Sequence, residues 1–266
     1  MRNFECVRLA ESDRIMADEL QDIRAFGSET EMMQVQDEVA RRLSGPAGIM
    51  SKIELTWENM RLGAIQGIVT DADGSVLVNF FTEFGIAQPA EIAFDFANTV
   101  AGALRPKIEQ NVVRPMVRAG KGSFTTGSSI VALCGDAFWD DLVNHDEIRT
   151  TFLNQQAASA LREKTAFGAF QFAGVDWFNY RGTDDNSTVA VATDTAKFFP
   201  QNASNVFSVS WAPAEFTPFV NTLGRPMYPM VLPDEKRQAF VDIEVYSYPL
   251  FMCKQPGMLF RGRRGV

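Results

Sequence analysis

The chain has 266 residues, carries 25 Lys+Arg against 33 Asp+Glu for a formal net charge of −8, and is 46% hydrophobic. This composition excludes a disordered polymer, which would be poorer in Phe, Ile, Leu and Val and carry more net charge per residue. The acidic balance excludes a general nucleic-acid binder, which needs surplus Lys and Arg to neutralise phosphates, and the length suits one large or two small domains.

Between Asp13 and Leu43, the residues Ile15, Leu20, Ile23, Met32, Val35, Val39 and Leu43 recur at three- and four-residue steps and predict a helix. Ser44-Gly45-Pro46 should break it. Ile49, Ile53, Trp57, Met60 and Ala64 then mark one face of a second helix, and the two together would make a long helical spine. From Ile65 the period falls toward two, and IQGIVT and SVLVNFF flank Asp71-Ala72-Asp73-Gly74, which predicts a hairpin. Phe96, Val100, Leu104, Ile108, Val112 and Met116 return to helical spacing, with a kink or two abutting helices expected at Pro106.

AGKGSFTTGSS (119–129) reads as a flexible polar loop, SIVALCG as a buried strand, and Asp136 as the cap of a helix through AFWDDLV. A further helix is expected from Asp146 to about Arg162. Beyond residue 165, Phe167, Phe170, Phe172, Val175, Trp177 and Tyr180 punctuate short strands, RGTDDNS is a polar connection, and STVAVAT and NVFSVSW alternate as strands do. AFVDIEVYSYPLFMCKQPGMLF predicts a long extended ribbon interrupted at Pro249 and Pro256. With helices in front and mixed elements behind, the chain reads as α+β rather than doubly wound.

Chemistry is sparse. Cys6, Cys134 and Cys253 are odd in number, far apart and outside any CxxC pair, so they suggest buried thiols in a reducing compartment rather than disulfides or zinc. No segment reaches the roughly 18 apolar residues of a membrane span, and MRNFECVRLAESD lacks the apolar stretch of a signal peptide. A protein outside membranes is expected, and the glycosylation triplets at Asn186 and Asn202 then mean little.

The single histidine, His145, precedes a predicted helix and reads as a surface residue. TDADGS begins like a calcium loop but places Ser75 and Val76 where the third ligand and the glycine belong. Gly120-Lys121-Gly122-Ser123 lacks the first glycine of a phosphate loop, since Pro115 stands there. Asp140-Asp141 and Asp184-Asp185 leave a paired-carboxylate hydrolase open, although adjacent acids more often form a solvated face. With 22 Phe against 4 Tyr and 4 Trp, the aromatics point to cores and interfaces rather than to ligand platforms. The tail residues Arg261, Arg263 and Arg264 are either solvated or docked on an acidic neighbour. Thus no catalytic, cofactor-binding or metal-binding residue is nominated, no cofactor is expected, and a structural role is the default.

Several blocks carry a resemblance over essentially the whole chain. They are ADELQDIRAFGSE (17–29), RLGAIQGIVTDADGSVL (61–77), ALCGDAFWDDLV (132–143), FGAFQFAGVDWFNYRG (167–182), FFPQ (198–201), APAEF (212–216), VNTLGRPMY (220–228) and DIEVYSYPLFMCKQPGMLFRG (242–262). This set resembles the major capsid protein E family of lambda-like tailed bacteriophages.

The resemblance implies the Hong Kong 97 capsid fold, α+β, a flat subunit with a radius of gyration above the roughly 18 Å of a compact chain this size. It implies a peripheral domain with the spine helix and hairpin, 1–93 and 226–252, and an axial domain, 94–225 and 253–266. Hexamers and pentamers would build an icosahedral shell around double-stranded DNA contacted only non-specifically. The other implied partners are a decoration protein, a scaffold or protease, and the portal of the same phage. The location would be the virion capsid, with the host bacterial cytoplasm during assembly, and no membrane is involved.

Family members usually carry an N-terminal arm and most of a projecting E-loop before the spine, whereas this chain starts almost at the spine with RNFECVRLAESD. On that reading its association is weakened toward rings or small oligomers. Some relatives of the fold crosslink Lys to Asn, but no such pair is marked here. The alternatives are an encapsulin-like nanocompartment shell and, from another class, the carboxylate-dependent hydrolase.

Overall fold

The computed structural model describes residues 4–21, 34–71, 74–97, 100, 102–153, 169–180 and 191–265. Its strands are β1 (Leu9–Met16), β2 (Ile68–Thr70), β3 (Val76–Asn79), β4 (Ile92–Ala93), β5 (Ser129–Cys134), β6 (Ala169–Phe172), β7 (Val175–Asn179), β8 (Thr195–Gln201), β9 (Phe207–Trp211), β10 (Tyr228–Pro233), β11 (Phe240–Ser247), β12 (Pro249–Cys253) and β13 (Phe260–Arg263). The helices are α1 (Val35–Ser44), α2 (Ile49–Gln66), α3 (Phe80–Phe84), α4 (Leu104–Ile108), α5 (Arg114–Ala119), α6 (Asp136–Asn144) and α7 (Asp146–Leu153). Two units result, Met1–Glu58 with Val209–Phe251 and Asn59–Ser208 with Met252–Val266.

The first unit holds an antiparallel sheet in the order β1-β11-β10. Its first strand replaces the start of the helix expected from Asp13. Leu9, Glu11, Asp13 and Ile15 share one face opposite Ser247, Val245, Ile243 and Val241. Ala10, Ser12, Arg14 and Met16, on the other face, are exposed. The period of two is masked in the sequence because two inward positions are acids. Asp13 is compensated from a distant element, by Arg42 Nη1 at 3.2 Å.

Of the helix expected over Asp13–Leu43, residues 22–33 lie outside the described residues and α1 forms its last part, while the helix expected after Ser44-Gly45-Pro46 is α2. A capping box between Gln34 and Asp37 opens α1, and Gly45 closes it in extended conformation. Along α2 the anticipated face is buried, with Ile49, Ile53 and Trp57 in this unit and Met60 and Ala64 in the other. The Trp57 indole donates to Ser247 Oγ at 3.2 Å, and that hydroxyl donates to Pro226 O at 2.7 Å. Trp57 also packs on Trp211, and Trp211 edge-on against Phe251.

Glu38 of α1 is the buried acid among the described residues of this unit, 3% exposed. It accepts from Arg41 Nε at 2.7 Å and Arg42 Nε at 2.6 Å. Arg42 reaches on to Asp13, Glu19 and the Arg14 carbonyl. The hydrogen bond from Arg41 is the largest influence on Glu38, whose pKa falls to about 2 against an opposing push from burial. A carboxylate with a depressed folded-state pKa contributes stability that is fully present above its unfolded value near 4.5 and is lost as pH falls toward 2. Glu38→Gln should therefore be less stable than wild type by about 2–3 kcal/mol at pH 7. In urea titrations the gap should close steadily from pH 4.5 downward, and a gap unchanged at pH 3 would contradict the coupling.

The second unit is organised by a six-stranded sheet, β4-β13-β8-β5-β7-β6, in which β13–β4 and β5–β7 are parallel and the other pairs antiparallel. Ala132, Trp177 and Phe198 lie in register on one face, with Phe94 and Phe138 stacked or edge-on to the two rings at 5.8–6.3 Å and 5.2 Å from each other. That phenylalanine-rich layer is the core the composition anticipates. The opposite face carries Leu133, Lys197 and Phe178; Leu62 of α2 and Val191 cluster beside Leu133. The hairpin β2–β3 forms as expected, closed by Gly74 N to Asp71 O at 3.0 Å and Asp71 N to Ser75 O at 2.8 Å.

Three local expectations need correction. Asp136 is the first residue of α6, not its cap, which is Gly135. A Cβ at Gly135 would stand 2.3 Å from the Ala192 carbonyl oxygen, so the chain passes too closely for any other residue. The amides of Ala137 and Phe138 are satisfied instead by Thr193 Oγ1 and Thr193 O. Thr193 thus ends STVAVAT as a capping loop; 191–193 form no strand, and 187–190 lie outside the described residues.

The second correction concerns the helix expected from Phe96, which begins at Leu104. Pro106 sits in its first turn, where the missing N–H is harmless. The irregularity falls later, as a π-helical segment Glu109–Val113 just ahead of Pro115. Arg114 N donates five residues back to Glu109 O, and Pro115 has no N–H with which to restore the α ladder. Leu104, Ile108, Val112 and Met116 are all buried as the spacing required.

Third, the loop after α5 is pinned rather than free. Ser123 is 8% exposed, exchanges hydrogen bonds with the Gln255 amide, and its carbonyl accepts from Ser204 N. Helix α7 starts at Asp146 as expected, but the predicted continuation past Leu153 lies outside the described residues.

Candidate functional site

Several of the positions weighed for chemistry have structural partners. His145 ends α6 and opens α7, where its Nδ1 accepts the Glu147 N–H at 3.3 Å and its carbonyl accepts from Ile148 and Arg149. Glu147 caps α4 across the fold, accepting from Leu104 N at 3.0 Å and Arg105 N at 3.1 Å. Asp141 binds Arg264 at 3.1 Å, and Arg263 lies 4.0 Å from Asp194, so the basic tail docks on the acids of its own unit. Asp184 and Asp185 lie outside the described residues.

The cysteines are free thiols. Burial pushes Cys253 up to about 12 and Cys134 well above its ordinary value, which suits inert, apolar side chains. Among the described residues no three His, Cys, Asp or Glu converge on a metal position, and no helix is long and apolar enough to cross a membrane.

The surface is more informative. In the first unit, the segment joining β9 to β10 displays Leu223 at 91% exposure and Val220 at 59%. It is braced from below. Arg225 N donates to Tyr228 Oη at 2.8 Å, Thr222 Oγ1 to Phe219 O at 2.8 Å, and Phe219 packs on Tyr228 with centroids 4.8 Å apart. A Cβ at Gly224 would come within 1.9 Å of Trp211 O, so the backbone lies directly on its neighbour there. An apolar side chain held out on a fixed loop loses little conformational freedom on docking.

Next to this loop, edge strand β10 exposes Val231 and Leu232 between Pro229 and Pro233. Prolines on an edge discourage unselective strand pairing. The sequence marks the loop only as part of VNTLGRPMY and does not reveal that Leu223 points outward.

Among the described residues the two units display packed cores and exposed apolar side chains. The fold is the Hong Kong 97 capsid fold. The putative capsid protein of a prophage of Escherichia coli CFT073 matches with a TM-score of 0.60 at 15% identity, covering 96% of this chain and 77% of that one. A chain from Mycobacterium phage Che8 matches with a TM-score of 0.50 at 10% identity, over 96% and 70%.

The chain belongs to the phage major capsid protein E family, whose model matches residues 1–264. A major capsid protein of Salmonella phage Felix O1 is 26% identical over 97% of this chain and 76% of its own length. The protein is accordingly a major capsid protein of a phage or prophage, a component of the virion shell and not an enzyme.

Proposed function

We propose that the chain forms hexamers and pentamers of an icosahedral head that closes around double-stranded DNA, assembling in the cytoplasm of the bacterial host. The family match across 1–264 carries this reading. Within it, the unit built on β1-β11-β10 acts as the peripheral domain and the unit built on the six-stranded sheet as the axial domain. A decoration protein, a scaffold or protease, and the portal of the same phage are the further partners.

The net charge of −8 supports a shell whose lining does not adhere to packaged polyanion. The braced Leu223 loop and the β10 edge are the first unit's contacts with neighbouring copies. Nuclease treatment of particles purified from the host, followed by recovery of protected nucleic acid, tests the reading. Protected double-stranded DNA is expected. Particles that protect protein cargo and no nucleic acid would indicate a nanocompartment instead.

A further inference from the structure

Lys197 of β8 and Arg261 of β13 are direct partners in an antiparallel ladder. Side chains so placed share a face with Cβ atoms about 5 Å apart, and like charges there repel. Neither cation makes an ion pair or hydrogen bond with a described residue, and the Arg261 Nε–H is buried with no acceptor. A buried charged donor left in this way costs stability unless something else supplies the acceptor.

Both side chains line one cavity of about 200 Å³ in the second unit. Gln66 and Gln88 line it too, together with apolar Ile65 and Leu259. Burial first, and the Arg261 charge second, hold the Lys197 ammonium below its ordinary pKa. Two acids act in the opposite sense without reversing this. Glu91 is exposed, and Asp194 lies against Arg263.

We propose that this cavity is an oxyanion site, in which a phosphate or carboxylate group sits between Lys197 and Arg261 with the Gln66 and Gln88 amides as additional donors. An ammonium and a guanidinium across one ladder rung repel each other, and an anion between them turns that repulsion into two charge-assisted hydrogen-bonded contacts. It also gives Arg261 Nε–H its acceptor. A cation is excluded by the same charges. The group comes either from free anion in solution or from an Asp or Glu side chain of a second copy of this chain.

Thermal unfolding of the dissociated full chain, in sodium phosphate against sodium chloride of equal ionic strength, tests the site. Phosphate at twenty times its dissociation constant should raise the melting temperature by about 3 °C over chloride. Lys197→Met should abolish that increment and, in chloride, melt no lower than wild type, because a repulsive partner has been removed. Equal melting in the two salts, or an increment retained in Lys197→Met, overturns the proposal.

Should Lys197→Met not fold, acylation of wild-type lysines followed by mass spectrometry decides. Phosphate should slow modification of Lys197 about tenfold relative to Lys52, and uniform slowing overturns the site. Assembled particles separate the sources. A phosphate increment in free chain and particles alike identifies free anion, whereas an increment confined to free chain identifies a neighbouring carboxylate already in place.

Discussion

Trp177→Ala should lower the unfolding free energy by about 3–5 kcal/mol. Trp177 is fully buried, and its ring meets Phe94, Phe138, Phe170 and Phe198 with centroids 5.4–6.4 Å apart. Its indole N–H donates to Phe172 O at 3.2 Å, so truncation leaves a cavity among stiff rings and removes that hydrogen bond. Phe178, the next residue of β7, faces the other side of the sheet at 38% exposure, and Phe178→Ala should cost less than about 1 kcal/mol. Urea unfolding should show a large midpoint shift for the first variant and a small one for the second. Similar shifts would contradict the assignment of faces.

The second large effect concerns assembly. Leu223→Asp removes an exposed apolar anchor and adds charge to a chain already at −8. Burying a leucine contributes about 1.5–3 kcal/mol, so each lost contact should raise the concentration needed for assembly roughly tenfold to a hundredfold. Light scattering should record this loss while the variant unfolds in urea like wild type. Assembly at the wild-type threshold would remove Leu223 from the contact surface.

Much of the architecture can be read from residue order because local physics dominates it. Ser44-Gly45-Pro46 cannot continue a helix, Asp71 and Gly74 favour a turn, and Leu104, Ile108, Val112 and Met116 fall on one helical face. SIVALCG is a short apolar run closed by Gly135, a length and boundary that favour a buried strand. The illegible parts depend on partners far away in sequence. β1 hides its alternation because Asp13 faces inward toward Arg42, and no window around Asp13 contains that arginine. Thr193 caps α6 from a separate loop, and the π turn answers Pro115 rather than the more obvious Pro106.

The surface was less legible than the core. Leu223 and Leu142 are the same residue type, yet one is 91% exposed and the other fully buried. Leu142 sits on the inward face of α6, whereas Leu223 stands on a loop braced by the Gly224 approach to Trp211 and by the Tyr228 hydroxyl. Lys197 and Arg261 are likewise ordinary cations until the β8–β13 register sets them opposite each other. Family membership, by contrast, was visible from blocks spread along the whole chain, since it depends on many positions and on no single constellation.

Shell building is tested most directly by electron microscopy of the purified chain across a range of protein concentrations. Capsomer rings with fivefold or sixfold symmetry, or closed particles made from them, are the predicted result. A chain that stays a discrete monomer at every concentration, with no ring or particle on any grid, would contradict it.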